Sequence, residues 1–278
     1  MKTLYPDHQV AIHGAPRSGT TWLGQLFNAH ENVAYRYQPL FSHAFRGQVN
    51  EASGQAEWQS FFQRLAQTTD DFVLQRGDAK LAQSQPSFTK AEPTHLIYKE
   101  VRFHHLLPVL LRQMPNLRLV AIVRDPRDVI ASWVAAPREF KPEWDVQEQW
   151  RAAPAKNAGL QENWYGFERW MELTRLFLSL CEQYPQRVRL VRYEDLLTAP
   201  GQTLGSLFEF CGLSMSVQVE QFIQASTSRN DGEAYGVYRS HDQLVAQRRS
   251  LPVQIEQEVC EKLTGTPLEA FLRVGGAH

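Results

Sequence analysis

A short apolar run, Gln9 to His13, feeds into Gly14-Ala15-Pro16-Arg17-Ser18-Gly19-Thr20-Thr21-Trp22, and a helical pattern begins near Gly19 and runs past Phe27. Nothing else in the chain limits its fold so strongly. A strand that turns through a glycine-bounded loop straight into a helix is a phosphate cradle, because backbone N–H groups face inward and the helix dipole favours an anion. Gly14 and Gly19 have the spacing of the nucleoside-triphosphatase loop G-x-x-x-x-G-K-[ST], but Thr20 stands where that loop needs lysine. A triphosphate site uses that lysine, together with Mg²⁺ and an acidic partner. Here the cation moves into the loop as Arg17, and the second long strand ends in Arg124 instead of a lone Asp. The pattern suits a less charged transferring group with no obligatory metal. The plainer alternative is an ordinary strand–turn–helix with Arg17 in solvent.

Strand and helix patterns alternate along the remaining chain. Val33 to Tyr37 reads as extended, Ala56 to Ala66 as a helix, 76–94 as a polar loop, and His95 to Lys99 as a strand. Leu106 to Met114 reads as a helix stopped by Pro115, and Leu117 to Val123 as a strand buried on both faces. Asp125-Pro126-Arg127-Asp128 marks a helix start: an Asp N-cap, proline at the first helical position and an acid in the first turn. Residues 135–160 form an irregular insert, Glu162 to Gln183 a long amphipathic helix, and Val188 to Val191 a strand. Helices follow near 202–210, 217–225, 252–263 and 267–273. This order predicts an α/β fold with a mainly parallel central sheet flanked by helices. No break divides residues 1–278, so one domain is expected.

Composition closes off other classes. Lys and Arg number 29 against 30 Asp and Glu, which argues against a broadly basic, nucleic-acid-binding surface but leaves room for a small basic pocket. Hydrophobic residues make up 43%, enough for a substantial core. Cys181, Cys211 and Cys260 lie far apart with no C-x-x-C, so zinc and thioredoxin chemistry lack support, and the odd count suits a reducing compartment. No run approaches the ~18 apolar residues of a membrane span, and the N-terminus has no secretory core. A cytoplasmic protein is expected.

Arg124 falls at the C-terminal end of a buried strand, the edge where open α/β sheets bind ligands, and Ser132 follows eight residues later on the next helix. The two could grip one phosphate from two sides. The alternative is that Arg124 and Arg127 merely pair with Asp125 and Asp128 on a surface, a pairing of little worth.

Together these motifs resemble the sulfotransferases that use 3′-phosphoadenosine 5′-phosphosulfate (PAPS). PRSGTTWL at 16–23 resembles their 5′-phosphosulfate loop, and IVRDPRDVIASW at 122–133 resembles their 3′-phosphate motif. LVRYEDLL at 190–197 is similar to a segment whose tyrosine, here Tyr193, contacts the adenine region. YGVYR at 235–239 is similar to a late cofactor-covering segment, with Arg239 as a 3′-phosphate contact. The loop reads PRSGTT and not PKSGTT, which points to the bacterial and carbohydrate-type branch. The resemblance implies PAPS as donor without metal. It implies cofactor contacts from Arg17, Ser18, Gly19, Thr20, Thr21, Trp22, Arg124, Ser132, Tyr193 and Arg239, and places Lys99 near the bridging oxygen.

A hydroxyl acceptor needs a general base. Many carbohydrate sulfotransferases carry a Glu where this chain has Gln38, which cannot accept a proton. Cytosolic members use a His just after the strand that ends near Lys99. Glu100, then His104, then His43 are the candidates here, although adjacent strand residues face opposite sides, so Lys99 and Glu100 share a face only if the strand has ended. Packing or capping is the alternative role for each histidine. Five of the seven tryptophans, Trp133, Trp144, Trp150, Trp164 and Trp170, lie in or beside the insert. Aromatic faces there suit a sugar ring, and Arg138, Lys141, Arg151 and Lys156 could hold an anionic acceptor. Trp164 and Trp170 could equally be helix core. The acceptor expected is a saccharide or another small molecule. A nucleotide or small-molecule kinase, and a non-catalytic nucleotide-binding protein, are the competing classes.

Overall fold

The alternation of apolar strand and amphipathic helix yields one five-stranded sheet in the computed structural model, which describes residues 6, 8–76, 86–228 and 251–273. The strands are β1 (His8–Gly14), β2 (Val33–Tyr37), β3 (His95–Glu100), β4 (Arg118–Val123) and β5 (Val188–Arg192). They lie in the order β2-β3-β1-β4-β5, and every pairing is parallel. The helices are α1 (Thr20–Asn28), α2 (Gln55–Ala66), α3 (Leu107–Gln113), α4 (Pro126–Val134), α5 (Val146–Gln149), α6 (Pro154–Asn157), α7 (Phe167–Gln183), α8 (Tyr193–Thr198), α9 (Pro200–Cys211), α10 (Val217–Ser228) and α11 (Val253–Leu263). The expected α/β domain with a parallel sheet flanked by helices is thus observed. Among the described residues, no helix is long and apolar enough to cross a membrane.

Side chains alternate across the sheet, so each strand feeds two cores. Val10, Ile12, Ile97, Val120 and Ile122 pack with Leu23, Leu26 and Phe27 of α1 and Phe208 of α9. Ala11, Leu96, Tyr98, Leu119 and Ala121 join α2, α3 and α7 on the other face, through Trp58, Phe61, Leu107, Trp170 and Phe177. From β1 the chain passes to β2 on one side; from β4 it passes to β5 on the other. The crevice between their C-terminal ends is therefore the topological switch point, where ligands of such sheets bind.

Local differences from the expected pattern have physical causes. Strand β3 runs on through Glu100. The long helix begins at Phe167 instead of Glu162, because Gly166 adopts φ 88°, which a side chain would oppose. A Cβ at Gly166 would lie 2.7 Å from the Arg151 carbonyl oxygen, and the N–H groups of Phe167 and Glu168 donate to the carbonyls of Trp150 and Arg151. The insert is therefore tied to the start of α7, and it contains α5 and α6. Tyr193 opens α8 directly after β5.

The entry to the first loop has no spare room. A Cβ on Gly14 would sit 2.6 Å from Ile122 Cγ2, 2.7 Å from the Ile122 carbonyl oxygen and 2.8 Å from Thr20 Cγ2. Gly14→Ala should cost about 1–3 kcal/mol and lower Tm by roughly 3–10 °C in scanning calorimetry. Gly201→Ala in α9, where nothing lies within 4 Å, is the control and should leave Tm unchanged or higher. Equal Tm for Gly14→Ala and the parent would contradict this packing.

Candidate active site

The loop between β1 and α1 is a backbone cradle. Arg17 (φ 72°) and Gly19 (φ 86°) both take left-handed conformations, and the Ser18 N–H donates to the Ala15 carbonyl at 3.1 Å. A left-handed arginine is strained, and such strain is stored where a loop must hold a ligand. No side chain caps α1, so its first N–H groups stay open toward the loop. The Ser18 hydroxyl is buried with no hydrogen-bond partner. This set of donors fits an anionic oxygen.

Arg124 fixes the cradle from the side. It donates to the Arg17 carbonyl at 3.2 Å, and its guanidinium lies 4.5 Å over the Tyr193 ring. Its Nε is buried without a partner, a second donor suited to an anion. Tyr193 packs against Gly19 so closely that a Cβ there would meet its ring at 2.4 Å, and Trp22 meets the same ring edge-on at 6.1 Å. Trp170 of α7 donates to the Arg124 carbonyl at 3.0 Å. Ser132 accepts from Arg17 Nε at 3.2 Å, so it joins the two motifs.

Asp125 caps α4 as expected, accepting from the Arg127 N–H at 2.9 Å. Burial alone would raise its pKa, but the Arg127 guanidinium and the Arg273 backbone N–H hold it below the usual carboxylate range. Arg127 is therefore committed to Asp125, whereas Arg124 makes only a long 4.0 Å contact with Asp128. The surface pairing considered for both arginines is not what forms: the Arg127–Asp125 pair is largely buried, and Arg124 keeps its Nε without a partner.

The two ionisable residues at the end of β3 divide by face. Lys99 follows Ile97 onto the α1 side, where its ammonium lies 4.3 Å over the Tyr37 ring. Burial lowers its pKa, opposed by the Glu100 and Glu139 carboxylates. Glu100 follows Tyr98 onto the other side and accepts from the Leu40 N–H at 2.8 Å. Burial pushes its pKa up, against that hydrogen bond and the Lys99 charge. His104, fully buried, lies with His13 on the Glu100 side; their Nδ1 atoms are 2.9 Å apart, and Trp164 and Phe177 cover His104. His43 is exposed on the turn after β2. The structure thus brings Arg17, Ser18, Gly19, Thr20, Thr21, Trp22, Lys99, Arg124, Ser132 and Tyr193 to one edge, and seats Glu100 and His104 behind the sheet. Arg239 lies outside the described residues.

The insert behaves differently from its sequence reading. Trp133, Trp150, Trp164 and Trp170 are all buried, so they build core instead of a sugar platform; only Trp144 is partly open. Arg151 pairs with Glu258, and Lys141 with Glu143 at 3.9 Å. The residue that the sequence reading passed over is Glu139, whose Oε1 lies 3.7 Å from Arg17. A lone acid between Arg138 and Lys141 was the available signal. Tyr37, Phe41 and Phe72 were also missed; their rings form a chain, Tyr37 to Phe72 at 5.5 Å and Phe72 to Phe41 at 6.0 Å. Arg102 lies 3.9 Å over Phe41. Among the described residues, no three His, Cys, Asp or Glu side chains gather as a metal cluster.

Fold and loop together define a class: residues 7–251 match the family model of the sulfotransferase domain, and the chain belongs to that family. It is 24% identical to human carbohydrate sulfotransferase 3, a match that covers 91% of this chain but only 65% of that protein's length. Carbohydrate sulfotransferase 1 from Danio rerio is 23% identical over 91% of this chain and 74% of its own. In fold the chain resembles mouse sulfotransferase SULT7A1, solved with PAP, at TM-score 0.53 and 15% identity, covering 96% of this chain and 87% of that one. Retinol dehydratase, solved with androsterone and PAP, gives TM-score 0.51 and 14% identity, with 96% and 82% covered.

The buried histidine pair makes a prediction about acid. Burial, and then the Lys99 charge, lower His13 from 6.5 to about 3; burial, and then His13, hold His104 well below 6.5. Below pH 6.5 the unfolded chain takes up protons that the folded rings refuse, so the stability present above 6.5 is lost as pH falls toward the folded values. His104→Asn removes one such group. Its urea-unfolding free energy should fall less steeply between pH 6.5 and 4.5 than the parent's, by up to about 1.4 kcal/mol per pH unit. Identical slopes would show that His104 takes its proton freely in the folded state.

Proposed function

We propose that this protein transfers the sulfuryl group of PAPS to a hydroxyl of an acceptor, a saccharide by preference, and releases PAP. The observation that carries this reading is the coupled pair of Arg17 in the loop and Arg124 at the end of β4, set around open N–H groups, an unpartnered Ser18 hydroxyl and an unpartnered Arg124 Nε. These donors fit two anionic groups on one ligand. The names of the carbohydrate sulfotransferases support a sugar acceptor and the carbohydrate-type branch, and PAP in the two solved structures supports the donor. We read residues 1–278 as one catalytic domain. The odd cysteine count supports a cytoplasmic setting.

Bound here, PAPS would supply an activated sulfuryl group on a good leaving phosphate. The α1 N–H groups, Ser18, Thr20 and Thr21 would hold the 5′-phosphate, while Arg124 and Ser132 would hold the 3′-phosphate. Tyr193 and Trp22 offer ring faces to the adenine. Sulfuryl transfer, like phosphoryl transfer, is in line and loose, so positioning and charge stabilisation supply most of the rate. Arg17 and Lys99 would stabilise negative charge on the bridging oxygen. Glu100 and His104, sealed on the opposite face, are poorly placed to take the acceptor proton.

PAPS and PAP should each bind far more tightly than ATP in calorimetric titration, and transfer should persist in excess chelator. Equal binding of all three with no turnover on any hydroxyl acceptor would favour a non-catalytic nucleotide-binding protein, and activity lost with Mg²⁺ and restored by it would favour the kinase. Arg124→Ala should weaken PAP binding at least tenfold, since losing a charged hydrogen-bond partner costs about 2–5 kcal/mol. Arg17→Ala should act mainly on kcat. Unchanged PAP affinity in Arg124→Ala would sink the assignment of the second site.

A further inference from the structure

The insert places one carboxylate at the reacting edge of the cradle. Glu139 sits just past the end of α4, where its backbone N–H donates to the Ala136 carbonyl and its own carbonyl accepts from the Trp133 indole at 3.3 Å. These bonds on both sides of its Cα fix where the side chain leaves. One carboxylate oxygen lies 3.7 Å from Arg17, and the other is buried with no hydrogen-bond partner. An unpartnered carboxylate oxygen is an acceptor held in waiting, and it costs stability unless something uses it.

The neighbours of Glu139 are donors and cations from several elements. Its charge acts on Lys99 of β3, Tyr37 of β2, Lys156 of α6 and Tyr165 before α7. The Arg102 charge, after β3, also acts on Tyr165. None of these can take a proton from a neutral hydroxyl while itself protonated, and Gln38 at the end of β2 cannot at all. The only carboxylate ion-paired to the loop arginine is Glu139, among the described residues.

We propose that Glu139 is the general base of the transfer reaction assigned above, taking the acceptor hydroxyl's proton on the carboxylate oxygen that has no partner. The inference rests on that assignment. In the step, the acceptor oxygen forms its bond to sulfur while its O–H proton passes to Glu139. The sulfur–oxygen bond to the 5′-phosphate breaks, and its electron pair stays on the phosphate oxygen, beside Arg17 and Lys99. Atoms and charge balance without a further reactant. Arg17 then serves both partners, steadying the leaving phosphate and orienting the base.

The test compares Glu139→Gln with the parent on two acceptors. One is 4-nitrophenyl N-acetyl-β-glucosaminide, whose hydroxyls must lose a proton in the step. The other is 4-nitrophenol above its own pKa, which arrives already ionised and needs no base. Labelled PAPS reports transfer, and calorimetry with PAP reports binding in the absence of any acceptor. Glutamine keeps the shape and an oxygen for Arg17. With the saccharide, kcat should fall by about 10²–10⁴, the usual worth of a general base. With 4-nitrophenolate it should change less than fivefold, and the PAP dissociation constant should change less than threefold. Equal losses on both acceptors, or a matching loss of PAP affinity, would make Glu139 only a support for Arg17 and overturn the proposal. So would full saccharide turnover in the variant. A parent that binds PAP but transfers to neither acceptor would fell the assigned reaction, and this inference with it.

Discussion

The hydrogen bond from Arg124 to the Arg17 carbonyl holds the rest of the site in place. It joins the ends of β1 and β4, adjacent in the sheet but separated by more than a hundred residues of chain. A planar guanidinium can do two things at once: its edge donates to the carbonyl while its face lies on an aromatic ring. Here that ring is Tyr193, and the ring in turn occupies the space where a Cβ on residue 19 would be. The absence of a side chain at Gly19 thus fixes the distance between α1 and α8. Trp170, donating to the Arg124 carbonyl, brings α7 into the same assembly. A lysine at 124 would carry the charge but could not meet the carbonyl and the ring together.

The two-residue period of a strand decides what the ionisable groups at the sheet edge can do. Lys99 and Glu100 are neighbours in sequence yet face opposite sides of the sheet, toward Tyr37 and Leu40 respectively. A buried pair on one face would neutralise itself and leave nothing for a ligand. Split across the sheet, the lysine faces the anion cradle and is held there over Tyr37. The glutamate turns instead to the Leu40 N–H and steadies the turn after β2. The same rule sends His13 away from the loop that begins one residue later, into contact with His104. Proximity in sequence to Gly14 did not make His13 part of the cradle.

The sheet and the cradle were legible because each rests on local chemistry. Apolar runs bounded by glycine and proline mark the strands, and Asp125-Pro126 marks the start of α4; a short-range pattern determines each. The start of α7 was misplaced because Gly166 is positioned by the backbone of Arg151 to Ala153, a contact that no window of sequence contains. The tryptophans misled for a related reason. Aromatic density in an irregular stretch reads equally as a binding platform or as the core that lets such a stretch pack, and only burial separates them. Trp133 packs with Phe140 and Tyr165, and Trp150 joins the main core, so both hold the insert to the domain.

Electrostatics explains why a base, if it is a carboxylate, should come from the insert and not from a strand end. The open edge of this sheet collects N–H dipoles and the charges of Arg17, Lys99 and Arg124, all suited to a donor that carries several negative charges. A carboxylate fixed among them would oppose that donor directly, since like charges at short range disfavour each other's ionised form. At the end of β2 the chain has a neutral Gln38, in a left-handed turn, and so avoids the conflict there. Glu139 comes from the insert and is ion-paired to the loop's Arg17 at 3.7 Å. In that position the positive charge screens base from donor, and one arginine lets two anionic partners share a small site.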